Sequence, residues 1–385
     1  MEKRKEPPTS DESHFKRLRS QNTLSHHDIS RSHSYHSSQF LTPWLPLIAR
    51  PQDTQRSFVF NTSGTSIGTG TGTGTRTASI EASTRFQGHT AAVHTCSFSP
   101  SGRSIASAGA DKSIYLWNTN GSGDHYGIIR GRHLGAILDI HWSRAENMLL
   151  TACADGTCGA FDAQTGERIS TFKGHSGSVT CCSPTRHGPE LTASGSIDGS
   201  VKVWDYRAPG VAEAFTQHYT VSSVAFSEND DILFTGGTGH KILAWDRRSQ
   251  RVVYTLSGHT GAITGIRLSP DGTCLLSSSR DNTVRIWNLG PFYDPSSRLQ
   301  QVLEGAPQGM NEQQSRPAWS NDGLFVGSGA ANGSVMIWDT RTGHNMQTLY
   351  DHQACVNQVD FHPTGHIVVS SSADKTLALR SLRHL

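Results

Sequence analysis

The sequence predicts an all-β fold, a seven-bladed β-propeller behind a disordered N-terminal tail, and three observations carry that prediction. From about Ser79 onward the chain repeats itself at roughly 40 to 47 residues, the interval at which propeller blades recur. Inside the repeats, runs such as Ile114-Tyr115-Leu116-Trp117, Val201-Lys202-Val203-Trp204 and Val284-Arg285-Ile286-Trp287 alternate with the period of two expected for strands and are rich in β-branched residues. Ahead of them lies a segment of Ser, His, Thr, Pro, Arg and Gly with little apolar surface. At 385 residues the chain is too long for one ordinary domain and too repetitive for two unrelated ones. We therefore expect a tail over 1–77 and one closed propeller over 78–385.

The tail closes on the alternating run from Gly68 to Thr75. Ordering its backbone would cost about 1–2 kcal/mol per residue, more than its composition can offset. The run lacks the glycine spacing and flanking elements of a dinucleotide loop and is read as a linker. Phe40, Leu41, Trp44, Leu45, Leu47 and Ile48 form an apolar exception suited to docking on a partner or on the body. Near the start, Lys3, Arg4 and Lys5 precede Lys16, Arg17 and Arg19 by the spacer of a bipartite nuclear import signal, so a nuclear location is expected.

Lys and Arg total 34 against 32 Asp and Glu. The first 50 residues hold eight basic and five acidic residues, which leaves 26 against 27 in the body. A near-neutral body argues against a surface built for nucleic acid or anionic lipid. The seven cysteines show no framework spacing, and Cys153 and Cys158 are too isolated from other ligands in the sequence to suggest zinc. A reducing, intracellular setting with no metal and no cofactor is the expectation. The charged first residues and the lack of a run of about 18 apolar residues predict neither a secretory signal nor a membrane span.

Repeat starts fall at His89, His133, His175, His218, His259 and His352, with one degenerate start near Gly305, making seven units. Turns such as Ser99-Pro100-Ser101-Gly102 and Ser269-Pro270-Asp271-Gly272 separate the strands at hairpin distances. The first, third and fifth units also carry a hydroxyl residue four positions before a turn Asp and a Trp six positions after it. Ser107, Asp111, Trp117; Ser194, Asp198, Trp204; and Ser277, Asp281, Trp287 share this spacing.

A His, a Ser and an Asp per repeat invite a hydrolytic reading. The arrangement instead resembles WD-repeat proteins, and the resemblance implies one buried hydrogen-bond chain per blade: Asp accepts from one imidazole nitrogen, the hydroxyl bonds the other, and the indole donates to the hydroxyl. Such a chain leaves no nucleophile free. The second unit keeps His133, Thr151 and Asp155 but has Phe161 for Trp. The fourth keeps Thr235 and Trp245 with Gly239 for Asp, and the sixth keeps Ser328 and Trp338 with Asn332 for Asp. The seventh has His352, Ser370 and Asp374 but Arg380 for Trp. It also runs out about one strand after Asp374, so the strand near 79–86 is expected to supply its outer edge and close the ring.

Several stretches resemble the WD-repeat subunits of the U5 small nuclear ribonucleoprotein. They include Ser107-Ala108-Gly109-Ala110-Asp111-Lys112, the insertion Arg186-His187-Gly188-Pro189, Asp281-Asn282-Thr283-Val284, Arg247-Arg248-Ser249-Gln250 and the Trp-less ending around Asp374-Lys375-Thr376-Leu377. The resemblance implies a platform in pre-mRNA splicing that contacts the large central scaffold protein of the U5 particle, with its GTPase and RNA helicase nearby and RNA contact secondary. A second reading comes from Trp204-Asp205-Tyr206-Arg207, Trp245-Asp246-Arg247-Arg248 and Trp338-Asp339-Thr340-Arg341, which look like the Trp-Asp-x-Arg pattern of substrate receptors of cullin-RING ubiquitin ligases. No phosphate-binding loop, nucleophile elbow or metal-spaced cluster is present, so no enzymatic activity is expected. Candidate partner-binding residues are Arg280 and His240 on the face that carries the Gly-His loops, and Arg186, His187, Arg207, Arg248 and Arg341 on the opposite face.

Overall fold

The structure, a computed structural model, describes residues 83–120, 123–291, 293–294, 297–309 and 315–382. The import signal, the Phe40 to Ile48 segment and the Gly-Thr run lie outside the described residues. All described elements are strands, and no α-helix occurs among the described residues.

The first strand, β1 (Ser83–Gln87), precedes the blades. Blade 1 consists of β2 (Val93–Phe98), β3 (Ser104–Gly109), β4 (Ile114–Asn118) and β5 (His125–Ile129) from inside to outside. Blade 2 follows with β6 (Ile137–Trp142), β7 (Met148–Cys153), β8 (Thr157–Asp162) and β9 (Arg168–Lys173). Blade 3 holds β10 (Val179–Pro184), β11 (Leu191–Ser196), β12 (Ser200–Asp205) and β13 (Val211–Thr216). Blade 4 holds β14 (Val221–Phe226), β15 (Ile232–Gly237), β16 (Lys241–Asp246) and β17 (Arg251–Ser257). Blade 5 holds β18 (Ile263–Leu268), β19 (Cys274–Ser279), β20 (Thr283–Asn288) and β21 (Leu299–Glu304). Blade 6 has a short inner strand, β22 (Ala318–Trp319), then β23 (Phe325–Gly329), β24 (Val335–Asp339) and β25 (Asn345–Leu349). Blade 7 combines β26 (Val356–Phe361), β27 (Ile367–Ser372) and β28 (Thr376–Ser381) with β1 as its outer strand.

Successive inner strands touch one another around the ring, and β26 returns to β2. The antiparallel pairing of β1 with β28 runs from Ser83 opposite Arg380 to Gln87 opposite Thr376. It hydrogen-bonds the open side of β28 and buries Phe86 against Leu377, Leu379 and Trp117, which joins blade 7 to blade 1.

Trp117, Trp204, Trp287, Trp338 and Phe161 are fully buried between sheets. In blades 1 to 6 the register of the third and fourth strands shifts at this aromatic position, as between Val203 and Trp204 or Ala160 and Phe161. Such a bulge re-aims the side chain it carries. In blade 7, where Arg380 takes the place of Trp, the pairing is regular.

A buried polar knot spans the inner wall. Arg316, just ahead of β22, donates to the Leu138 carbonyl at 2.8 Å and the Thr180 carbonyl at 2.7 Å, and lies 3.5 Å from Asp139. Its own backbone N–H donates to Asn357. One side chain from blade 6 thereby engages blades 2 and 3 while its main chain engages blade 7. Burial opposes ionisation of Asp139, yet the Arg316 guanidinium and His141 hold its carboxyl well below the usual range.

Candidate functional site

Two kinds of site follow from this architecture: the polar chain inside each blade and the surfaces at the two ends of the ring. Blade 1 has the full chain. His89 Nδ1 lies 2.8 Å from Asp111 Oδ2, its Nε2 lies 2.8 Å from Ser107 Oγ, and Trp117 donates to the same Oγ at 2.9 Å. Blade 5 repeats it with His259, Asp281, Ser277 and Trp287, every link 2.8 Å long. In blade 3 the His175 to Asp198 link stretches to 3.3 Å because Ser200 Oγ takes the near position at 2.8 Å, while Ser194 still joins His175 and Trp204. Blade 7 keeps His352, Asp374 and Ser370; Arg380, in the Trp position, turns to Asp351 at 2.6 Å.

The Asp of each chain also accepts backbone N–H groups from the loop beyond the His, as Asp281 does from Thr260, so one carboxylate pins two connections together. Burial works against its charge, but the Thr283 hydroxyl and His259 outweigh burial and bring Asp281 down to about 2. The Ser Oγ at the centre bonds both imidazole and indole and sits in the core, with Ser107, Ser194 and Ser277 fully buried. A buried hydroxyl so engaged is a structural link.

Three blades differ from the sequence reading. In blade 4 the His position is held by Gln217, not by His218: Trp245 donates to Thr235, which donates to Gln217 Oε1, each at 3.0 Å. An amide oxygen can accept the hydroxyl proton but needs no Asp beyond it, which accounts for Gly239 there. In blade 6 Ser328 and Trp338 are both present but not bonded to each other, because Trp338 donates to the Glu304 carbonyl at 3.2 Å. In blade 2 His133 Nε2 meets Thr151 at 2.7 Å, but Nδ1 stands 3.6 Å from Asp155 and has no hydrogen-bond partner. Without an indole donor the Thr151 hydroxyl turns to the Gly159 carbonyl at 3.3 Å.

Blade 2 also corrects the view that Cys153 is isolated: His133, Cys153 and Asp155 bring potential donor atoms within 4.8 Å of one another. Burial pushes the Cys153 thiol up to about 11, and burial followed by the Arg168 charge takes His133 down to about 4. The Arg168 charge acts on both His133 and Cys153, so a cation held there would face a like charge. Cys153 instead accepts the Asp155 N–H at 3.5 Å, the part that Ser196, Ser279 and Ser372 play in other blades.

The His–Asp contacts define one face, carrying the loops before each inner strand and the turns between second and third strands. Arg280 and His240 lie there and are exposed. The other face carries the Arg186, His187, Arg207, Arg248 and Arg341 loops. Arg186 is largely committed within the chain, donating to the Ser269 and Pro270 carbonyls and pairing with Glu228 at 2.9 Å. His187 joins Glu228 at 2.7 Å, and the backbone of both residues is held by Asp230. The insertion is thus a strap across blades 3, 4 and 5. Arg207 closes its fork on its own Asp205 at 2.9 Å on both arms. Arg248 is exposed, and Arg341 borders a cleft of about 560 Å³ between blades 5 and 6 with Trp319 and Asp271.

Seven four-stranded blades with this internal polar chain define a WD-repeat propeller, and the chain belongs to that family. The family model described as WD domain, G-beta repeat, matches residues 81–118, 166–205, 211–246, 250–288, 315–339 and 343–380. The matched stretches skip 119–165, where blade 2 has Phe161 in place of Trp. Among similar proteins is the U5 small nuclear ribonucleoprotein 40 kDa protein of Dictyostelium discoideum, 38% identical over 77% of this chain and 83% of that protein. The human protein of the same name is 36% identical over 89% of this chain and 98% of its own length. Pre-mRNA-splicing factor cwf17 of Schizosaccharomyces pombe is 38% identical over 77% and 86% respectively.

Proposed function

We propose that the chain is a non-enzymatic protein-interaction scaffold of the U5 small nuclear ribonucleoprotein and acts in pre-mRNA splicing in the nucleus. The observation that carries this reading is similarity to splicing proteins at 36 to 38% identity over 83 to 98% of their length. The polar repeats fit a scaffold, since their His, Ser and Asp groups are used inside the blades and leave the faces and rim for partners. The partners we infer are the large central protein of the particle, with its GTPase and RNA helicase nearby. Protein contacts are favoured over RNA contacts by the near-neutral body. Import by the basic clusters Lys3 to Lys5 and Lys16 to Arg19 belongs to the same proposal. The cullin-RING reading loses its first support where Arg207 is bonded to Asp205. Purification of the tagged full chain from nuclear extract, with sequencing of the attached RNA, tests the proposal: U5 RNA is the expected species, and a cullin with its adaptor in its absence would replace the splicing reading.

A further inference from the structure

One position on the His–Asp face differs between the two halves of the ring. The residue just before the turn Asp is Ala in four blades, Ala110, Ala154, Ala331 and Ala373, but Ile197, Thr238 and Arg280 in blades 3, 4 and 5. These three side chains line a cavity of about 260 Å³ at the mouth of the central channel, together with Thr180, Thr220 and Thr264. Ile197 is 51% exposed there. Next to the lining residue Thr220, Tyr219 is 58% exposed and sets its ring against the blade 4 turn, where a Cβ on Gly239 would come within 2.7 Å of it. Blade 4, at the centre of the cavity, is also a blade in which both His and Asp of the polar chain are replaced, by Gln217 and Gly239. Departure from the repeat pattern thus coincides with an exposed aromatic side chain, as expected where a surface serves binding more than stability.

The charge of the cavity has one sign. Arg280 is its only charged lining residue, no acidic side chain borders it, and its guanidinium has no hydrogen bond or ion pair among the described residues. The neighbouring Asp281 is already bonded to His259 and Thr283. Exposed His240 and Lys241 on the next turn extend the basic edge. A free guanidinium fork beside an apolar shelf and a row of hydroxyls matches a carboxylate flanked by an apolar side chain.

We propose that this mouth is a docking pocket for a protein segment that places an Asp or Glu on Arg280 and beds an adjacent aliphatic or aromatic side chain between Ile197 and Tyr219. The inference deepens the scaffold reading and rests on it only for the particle in which the partner is sought.

The test replaces Tyr219 in the tagged full chain with the photoreactive p-benzoylphenylalanine and irradiates assemblies from nuclear extract; a second chain carries the probe at Tyr293 on the opposite face. Mass spectrometry is expected to place the Tyr219 adduct on a segment with a carboxylate next to an apolar residue. That segment, as a synthetic peptide, is expected to bind the full chain at least tenfold more weakly after Arg280→Ala and after Ile197→Ala. Both variants install the Ala that four other blades carry, so their melting temperatures should match the parent. An adduct on RNA, an adduct on a segment without a carboxylate, no adduct where Tyr293 gives one, or peptide binding indifferent to Arg280→Ala would each overturn the pocket. Recovery of U5 RNA with the unmodified chain reports on the scaffold reading separately.

Discussion

Ser277 shows how a residue that looks catalytic serves the fold. Its hydroxyl is the single partner of two buried groups, His259 Nε2 and Trp287 Nε1, so Ser277→Ala strands both. Each stranded group costs about 1–3 kcal/mol, and chemical denaturation should show a loss of about 2–6 kcal/mol. His133 gives the pH counterpart. Its imidazole takes a proton near the ordinary 6.5 when unfolded but only near 4 when folded, first because of burial and then because of Arg168. The unfolded chain therefore binds more protons in that window, and stability falls as pH drops from about 6.5 to about 4, by about 3 kcal/mol for this group. His133→Gln should flatten the decline in a pH series of denaturation curves; an unchanged slope would show that His133 is not held neutral. The three-part offset of Ser, Asp and Trp was readable because it lies within one hairpin. The Gln217 substitution was not, since a His one residue later presents the same local text.

At the scale of the element, β1 carries the most weight for its length. Its five residues supply the outer edge of blade 7, and Phe86 is its only fully buried side chain. Phe86→Ala leaves a cavity against Trp117 and Leu377 and should cost about 3–5 kcal/mol. Limited proteolysis should then cut first near β1 and β28; cleavage elsewhere would show that the ring does not open at this seam. The seam was legible because a blade short of one strand must find it at the other end of the chain. The strap at Arg186 was not, because its partners Ser269 and Pro270 lie 83 and 84 residues away and belong to blade 5. The family resemblance marked the Arg-His-Gly-Pro insertion as specific, and only the fold shows that it largely binds its own neighbours.

The whole ring depends on Arg316, which no repeat pattern reveals because it stands between blades and reaches Leu138, 178 residues away. Arg316→Met should cost about 3–5 kcal/mol, since Asp139 would remain charged and buried without its main partner. Adding Asp139→Leu should recover part of that loss in the same melts, and no recovery would mean that Arg316 acts through packing alone. Seen whole, the molecule spends its titratable repeats on stability and keeps its faces for partners, so association should rest on protein contacts. The most direct test is purification of the tagged full chain from nuclear extract, divided before washing into untreated and nuclease-treated halves. The account predicts U5 RNA in the first half and the core U5 proteins in both. Loss of those proteins on nuclease treatment, or their absence from both halves, would contradict it.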